Sequence, residues 1–169
     1  MVVDAADERG FREFVSARSP ALMGLAYLLT GGDQHAAEDL VQASLAKAVT
    51  RWGRIDDPEA YVKRTMYHQQ VSIWRLAWRR HETSVAEPPE RIAADRTGTV
   101  DLRLALRQAL SRLTPRQRAV LVLRYFEDLP EDEIARIMGC SVGTVRSTAH
   151  RSLARLRAAA TELTQEVTR

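Results

Sequence analysis

Apolar residues recur at helical spacing along most of the chain, and no run alternates with the period of two that a half-buried strand requires. A first helix is predicted over residues 8–30, with Phe11, Phe14, Leu22, Leu25 and Leu29 among its apolar positions and Gly31-Gly32 to end it. Asp33 is placed to cap a second helix reaching Trp52, whose inward stripe is Ala37, Leu40, Val41, Leu45 and Val49. After a short loop from Trp52, Asp57-Pro58 supplies a cap and a first-turn proline for a third helix extending to Arg80. Periodicity fails between Thr83 and Gly98, where TSVAEPPERIAADRTG holds adjacent prolines and small polar residues, the composition of a linker. A helix carrying Leu102, Leu106, Leu110 and Leu113 follows. Thr114-Pro115-Arg116-Gln117 then reads as a capping box opening a helix to Phe126. The pattern predicts an all-α chain: two small helical domains, residues 7–82 and 101–169, joined by a flexible linker over 83–100.

The last segment, PEDEIARIMGCSVGTVRSTAHRSLARLR, has the spacing of a helix-turn-helix. Ala135 is small where two helices cross, Gly139 permits the left-handed backbone that ends the first of them, and Val145 falls on the inward face of the second. From Ile134 to Ala160 there are five arginines and no acid. Ser141 is placed to cap the second helix, and Thr144, Arg146, Ser147, His150 and Arg151 fall on or near its outward face. Arginine can pair bidentately with guanine, so this face suits a DNA major groove; a solvated basic helix face is the plain alternative. Arg155 and Arg157 lie further along, in reach of phosphate.

The third helix is basic as well. From Ala60 to His81 it holds Lys63, Arg64, Arg75, Arg79 and Arg80 with no acid, interleaved with Tyr61, Tyr67, Trp74 and Trp78. Cations that track a backbone beside rings that stack on bases suit single-stranded nucleic acid. Trp74 and Trp78, four apart, also fit an apolar core face. On the second helix, Glu38, Asp39 and Lys47 surround the apolar stripe, a face able to close the core or dock a partner helix.

Composition narrows the classes. The apolar share of 45% is ordinary for a globular protein, and the formal net charge of +3 is small, so the local clustering of arginine carries the information. The single cysteine, Cys140, excludes an internal disulfide and falls in a packing slot of the helix-turn-helix. The opening MVVDAADERG lacks the basic start and apolar run of a signal peptide, and no stretch approaches the roughly 18 apolar residues of a membrane span. A cytoplasmic protein without membrane insertion is expected. No glycine elbow, phosphate loop or clustered metal ligands occur, so no enzyme activity, catalytic residue, cofactor or metal is expected.

These pieces together resemble the bacterial RNA polymerase sigma factors of the extracytoplasmic-function (ECF) group. AEDLVQASLAKA (37–48) is similar to the family's region 2.2, WGRIDDPEAYVKRTMYHQQVSIWR (52–75) to regions 2.3 and 2.4, and residues 113–157 to region 4 throughout. The resemblance implies a subunit that binds core RNA polymerase and directs it to promoters through −35 and −10 elements. It implies that Asp39, Leu40, Gln42, Leu45 and Lys47 face the β′ coiled coil, and that the region 4 domain rests on the β flap. Trp52 with its loop, Lys63, Arg64, Tyr67 and His68 would take the −10 single strand, and the helix-turn-helix the −35 duplex. An anti-sigma factor is a further partner the family suggests. His68, Ser72, Pro130 and Thr148 depart from residues frequent there: asparagine, aspartate, serine and arginine. A stand-alone helix-turn-helix regulator is the rival reading, and an interaction protein such as an anti-sigma factor a third. The regulator reading leaves the third helix and the Asp39–Gln42 face unused.

Overall fold

The computed structural model describes residues 4–83 and 102–167, and the linker predicted over 83–100 lies outside them beyond Thr83. All regular structure among the described residues is helical: α1 Ala5–Leu29, α2 Gln34–Val49, α3 Pro58–Thr83, α4 Leu102–Ser111, α5 Pro115–Leu121, α6 Glu131–Met138 and α7 Val142–Val167. A 3₁₀ turn at Trp52–Arg54 precedes α3, and α5 widens into a π-helical segment over Val122–Phe126.

The helix ends follow the local chemistry. Asp33 caps α2 by accepting from the Ala36 amide at 3.0 Å, and Asp57 does the same for α3 through the Ala60 amide at 3.1 Å. Thr114 and Gln117 exchange the reciprocal bonds of a capping box at 3.1 and 3.2 Å. Pro130 stands at the N-cap of α6 without a side-chain bond, and Glu131, Asp132 and Glu133 lie against that positive helix end.

Helices α1, α2 and α3 pack on one another through Leu22, Leu25, Leu29, Leu40, Val62 and Met66, each nearly or wholly buried. Helix α7 packs on α4, α5 and α6, burying Ile134, Val145 and Ala149. The two bundles do not hang apart. Helices α1 and α3 pack on α5, α3 also packs on α6, and one apolar cluster runs from Leu22 and Met66 through Val120 and Leu123 to Val145. The sequence pattern predicted two bundles and was silent on their docking. Trp74 is half-buried beside Pro115, Ala119 and Met138 at this junction, whereas the Trp78 side chain lies outside the described residues.

Candidate nucleic-acid interface

The helix-turn-helix is built as its sequence requires. Gly139 takes φ 66° and ψ 40°, ending α6 in the left-handed conformation, and the Cys140 amide closes the turn on the Ala135 carbonyl at 3.1 Å. Ser141 accepts from the Thr144 amide at 3.1 Å and so caps α7. Cys140 is half-buried and packs against the core. Val145, Thr148, Ala149 and Ser152 face inward, which leaves Arg146, Ser147, His150 and Arg151 exposed and Thr144 half-buried. Thr148 is 6% exposed, so its departure from the frequent arginine falls on the packed side of the helix.

One contact on this face has no signature in the pattern of the chain. Glu131 accepts from Arg146 Nε at 2.6 Å and pairs with Arg124 at 2.6 Å. The hydrogen bond from Arg146 leads the causes that hold the Glu131 carboxyl below the usual range; burial opposes it, and the charges of Arg146 and Arg124 then tip the balance further down. Arg146 is thereby held in one orientation while its side chain stays 68% exposed. At the far end of the face, Arg155 donates to Gln117 Oε1 at 3.3 Å.

On the first bundle the predicted residues divide. Arg64 and His68 are exposed and line an open groove of about 360 Å³ with Lys47, Tyr61 and Ser72. The fold thus joins Lys47, assigned to polymerase by resemblance, to the basic face of α3. Gln69 also lines this groove, and its Oε1 is buried with no donor among the described residues. Trp52 is held by α1, with its ring edge-on to Phe11 at 5.1 Å and tilted on Phe14 at 5.3 Å. Tyr67 is 5% exposed and donates to Glu127 Oε2 at 2.6 Å. Burial first, and then that bond, raise its phenol well above the ordinary tyrosine range. Lys63 lies 3.1 Å from the same carboxylate oxygen and 3.4 Å from Glu59. Burial works against the Lys63 charge, but its bonds to Glu127 and Glu59 outweigh it and the pKa rises.

The set assigned to polymerase needs one correction. Asp39, Gln42 and Lys47 are exposed and Leu45 is half-buried, but Leu40 is 2% exposed. It shares its helix face with Ala37, Val41, Ser44 and Ala48 and belongs to the core in place of a docking surface.

No helix among the described residues is long and apolar enough to cross a membrane, and none of their His, Cys, Asp and Glu side chains group to hold a metal. Residues 14–80 match the family Sigma-70 region 2, and residues 103–156 match Sigma-70, region 4. The RNA polymerase sigma-E factor of Streptomyces coelicolor is 39% identical over 150 residues, covering 87% of this chain and 84% of that protein. The ECF RNA polymerase sigma factor ShbA of Streptomyces griseus is 35% identical over 146 residues, covering 78% of this chain and 75% of that protein. Among solved structures, the sigma factor RpoE in complex with the anti-sigma factor NepR from Bartonella quintana superposes with a TM-score of 0.64 at 26% identity, covering 89% of this chain and 96% of that one. With both regions present in order and relatives matched over most of their length, the chain belongs to the ECF sigma factors of bacterial RNA polymerase.

Proposed function

We propose that this sigma factor divides promoter recognition between its two bundles. Arg146, Ser147, His150 and Arg151, with Ser141 and Thr144 at the start of α7, read the −35 duplex. Arg64 and His68 in the groove, with Lys63 and Tyr67, hold the −10 single strand, and Trp52 backs the loop beside it. Asp39, Gln42 and Lys47, joined by Leu45, dock on the β′ coiled coil, and region 4 rests on the β flap. The protein works as a binding subunit in the cytoplasm, and the polymerase performs the chemistry. An anti-sigma factor is a further partner, a reading supported by the complex in which the Bartonella relative was solved.

One observation carries this reading. A helix-turn-helix with an open cationic face and a second basic-aromatic helix lie on one chain, so duplex and single strand each have a surface. Run-off transcription tests it, with core polymerase and a pooled library of promoter fragments. Discrete transcripts are expected only when both proteins are present. Tight dimeric binding to duplex without polymerase, and no transcript with it, would overturn the reading.

A further inference from the structure

Arg146, Arg151 and Arg155 of α7 are held in different ways. Arg151 donates through Nε to the Ser147 carbonyl at 3.3 Å, one turn back on its own helix, and Arg155 donates to the Gln117 amide oxygen at 3.3 Å. Both of those anchors are neutral. Arg146 is anchored by a charge: its Nε donates at 2.6 Å to Oε2 of Glu131, the first residue of α6. A charge-assisted bond is about twice as strong as a neutral one, so Arg146 is the most firmly oriented of the three.

The anchor is itself fixed. Glu131 gives its other oxygen, Oε1, to Nη1 of Arg124 at 2.6 Å, from the π-helical segment that follows α5. With both oxygens engaged, the carboxylate cannot swing away from Arg146 without giving up Arg124. The Glu131 side chain is 23% exposed, so the support is partly covered while the guanidinium it holds stays open to solvent. Two guanidinium charges against one carboxylate leave the cluster cationic, and Glu131 lies on the positive end of α6. A carboxylate in that setting can stand at a duplex surface without a net repulsion of phosphate.

The bond to Glu131 takes the Nε hydrogen and leaves the N–H groups of Nη1 and Nη2. That terminal fork matches the O6 and N7 acceptors of guanine, and no other base presents two acceptors side by side in the major groove. We infer that Glu131 is a positioning residue for −35 readout: bridged between Arg124 and Arg146, it presets the Arg146 fork for one guanine. The inference rests on the proposed −35 reading. Glu131 itself touches no base. It acts by removing beforehand the rotamer freedom that a long, exposed arginine would otherwise lose on binding.

The test uses the holoenzyme of the full chain with core polymerase, and promoter fragments randomised through the −35 element, with the bound fraction sequenced. The wild-type protein is expected to select guanine at one position where Arg146→Ala no longer does. Glu131→Ala is expected to lower the guanine preference at that same position about fivefold, part of what a bidentate pair supplies. Preferences at the other positions and the melting temperature are expected to stay unchanged. Glu131→Gln keeps an oxygen for Nε without the charge, and is expected to keep part of the preference. Full guanine preference in Glu131→Ala overturns the positioning role. Loss at a position other than the one lost in Arg146→Ala gives Glu131 a base of its own and overturns it equally. An even loss at every position with a lower melting temperature overturns it in favour of a purely structural contact. Intact preferences in Arg146→Ala overturn the −35 reading of Arg146, and the inference with it, so the two failures are distinguishable.

Discussion

Leu40 shows how one position can satisfy two descriptions on the page of a sequence and only one in space. Its helical register places it in an apolar stripe, whereas family likeness places it at a partner surface, and burial to 2% exposure decides for the stripe. Leu40→Ala is expected to cost about 2–5 kcal/mol of stability, read as a lower urea midpoint, because it leaves a cavity that helices close only in part. Asp39→Ala and Gln42→Ala, at exposed neighbouring positions, are expected to weaken capture of core polymerase with the midpoint unchanged. On α7, Arg146→Ala is expected to lower affinity for the −35 duplex roughly tenfold and to spare polymerase binding, since a bidentate base contact is worth ~1–3 kcal/mol. Electrophoretic shift with duplex and pull-down with core separate these outcomes. The pairing of Arg146 with Glu131 lies 15 positions back in the chain and across a turn, so no local pattern announces it.

At the scale of elements, most of the fold was legible. Caps at Asp33, Thr114 and Ser141 and the left-handed Gly139 all form, because each satisfies backbone groups within a few residues of itself. The third helix runs to Thr83, a little beyond its predicted end. The helix expected to run unbroken to Phe126 instead turns π-helical from Val122. Propensity carries no sign of that change, since Val122 and Leu123 are buried among distant helices while Tyr125 and Phe126 stay exposed. Gly139→Ala measures how much the turn depends on its conformation. A Cβ in left-handed backbone costs ~1–2 kcal/mol, and here it would also meet the Arg75 guanidinium. The melting temperature is expected to fall by roughly 2–4 °C per kcal/mol in a cooperative unit of this size, as followed by circular dichroism.

For the whole molecule, a shared apolar cluster makes the two bundles one cooperative unit. Urea unfolding of the wild-type chain is expected to give coincident transitions by tryptophan fluorescence, which reports on Trp52 and α3, and by far-ultraviolet dichroism, which reports on every helix. The amino-acid sequence alone determined the helical class, the two bundles, the caps, the helix-turn-helix and the family, all of which rest on residues close together in the chain or on motifs in order. Tertiary structure alone decided that Leu40 is core, that Lys47 shares a groove with Arg64 and His68, and that Tyr67 and Lys63 lie under Glu127. Tyr67 and Glu127 stand 60 residues apart with the linker between them, and nothing in local periodicity or charge encodes which distant carboxylate a buried phenol will meet.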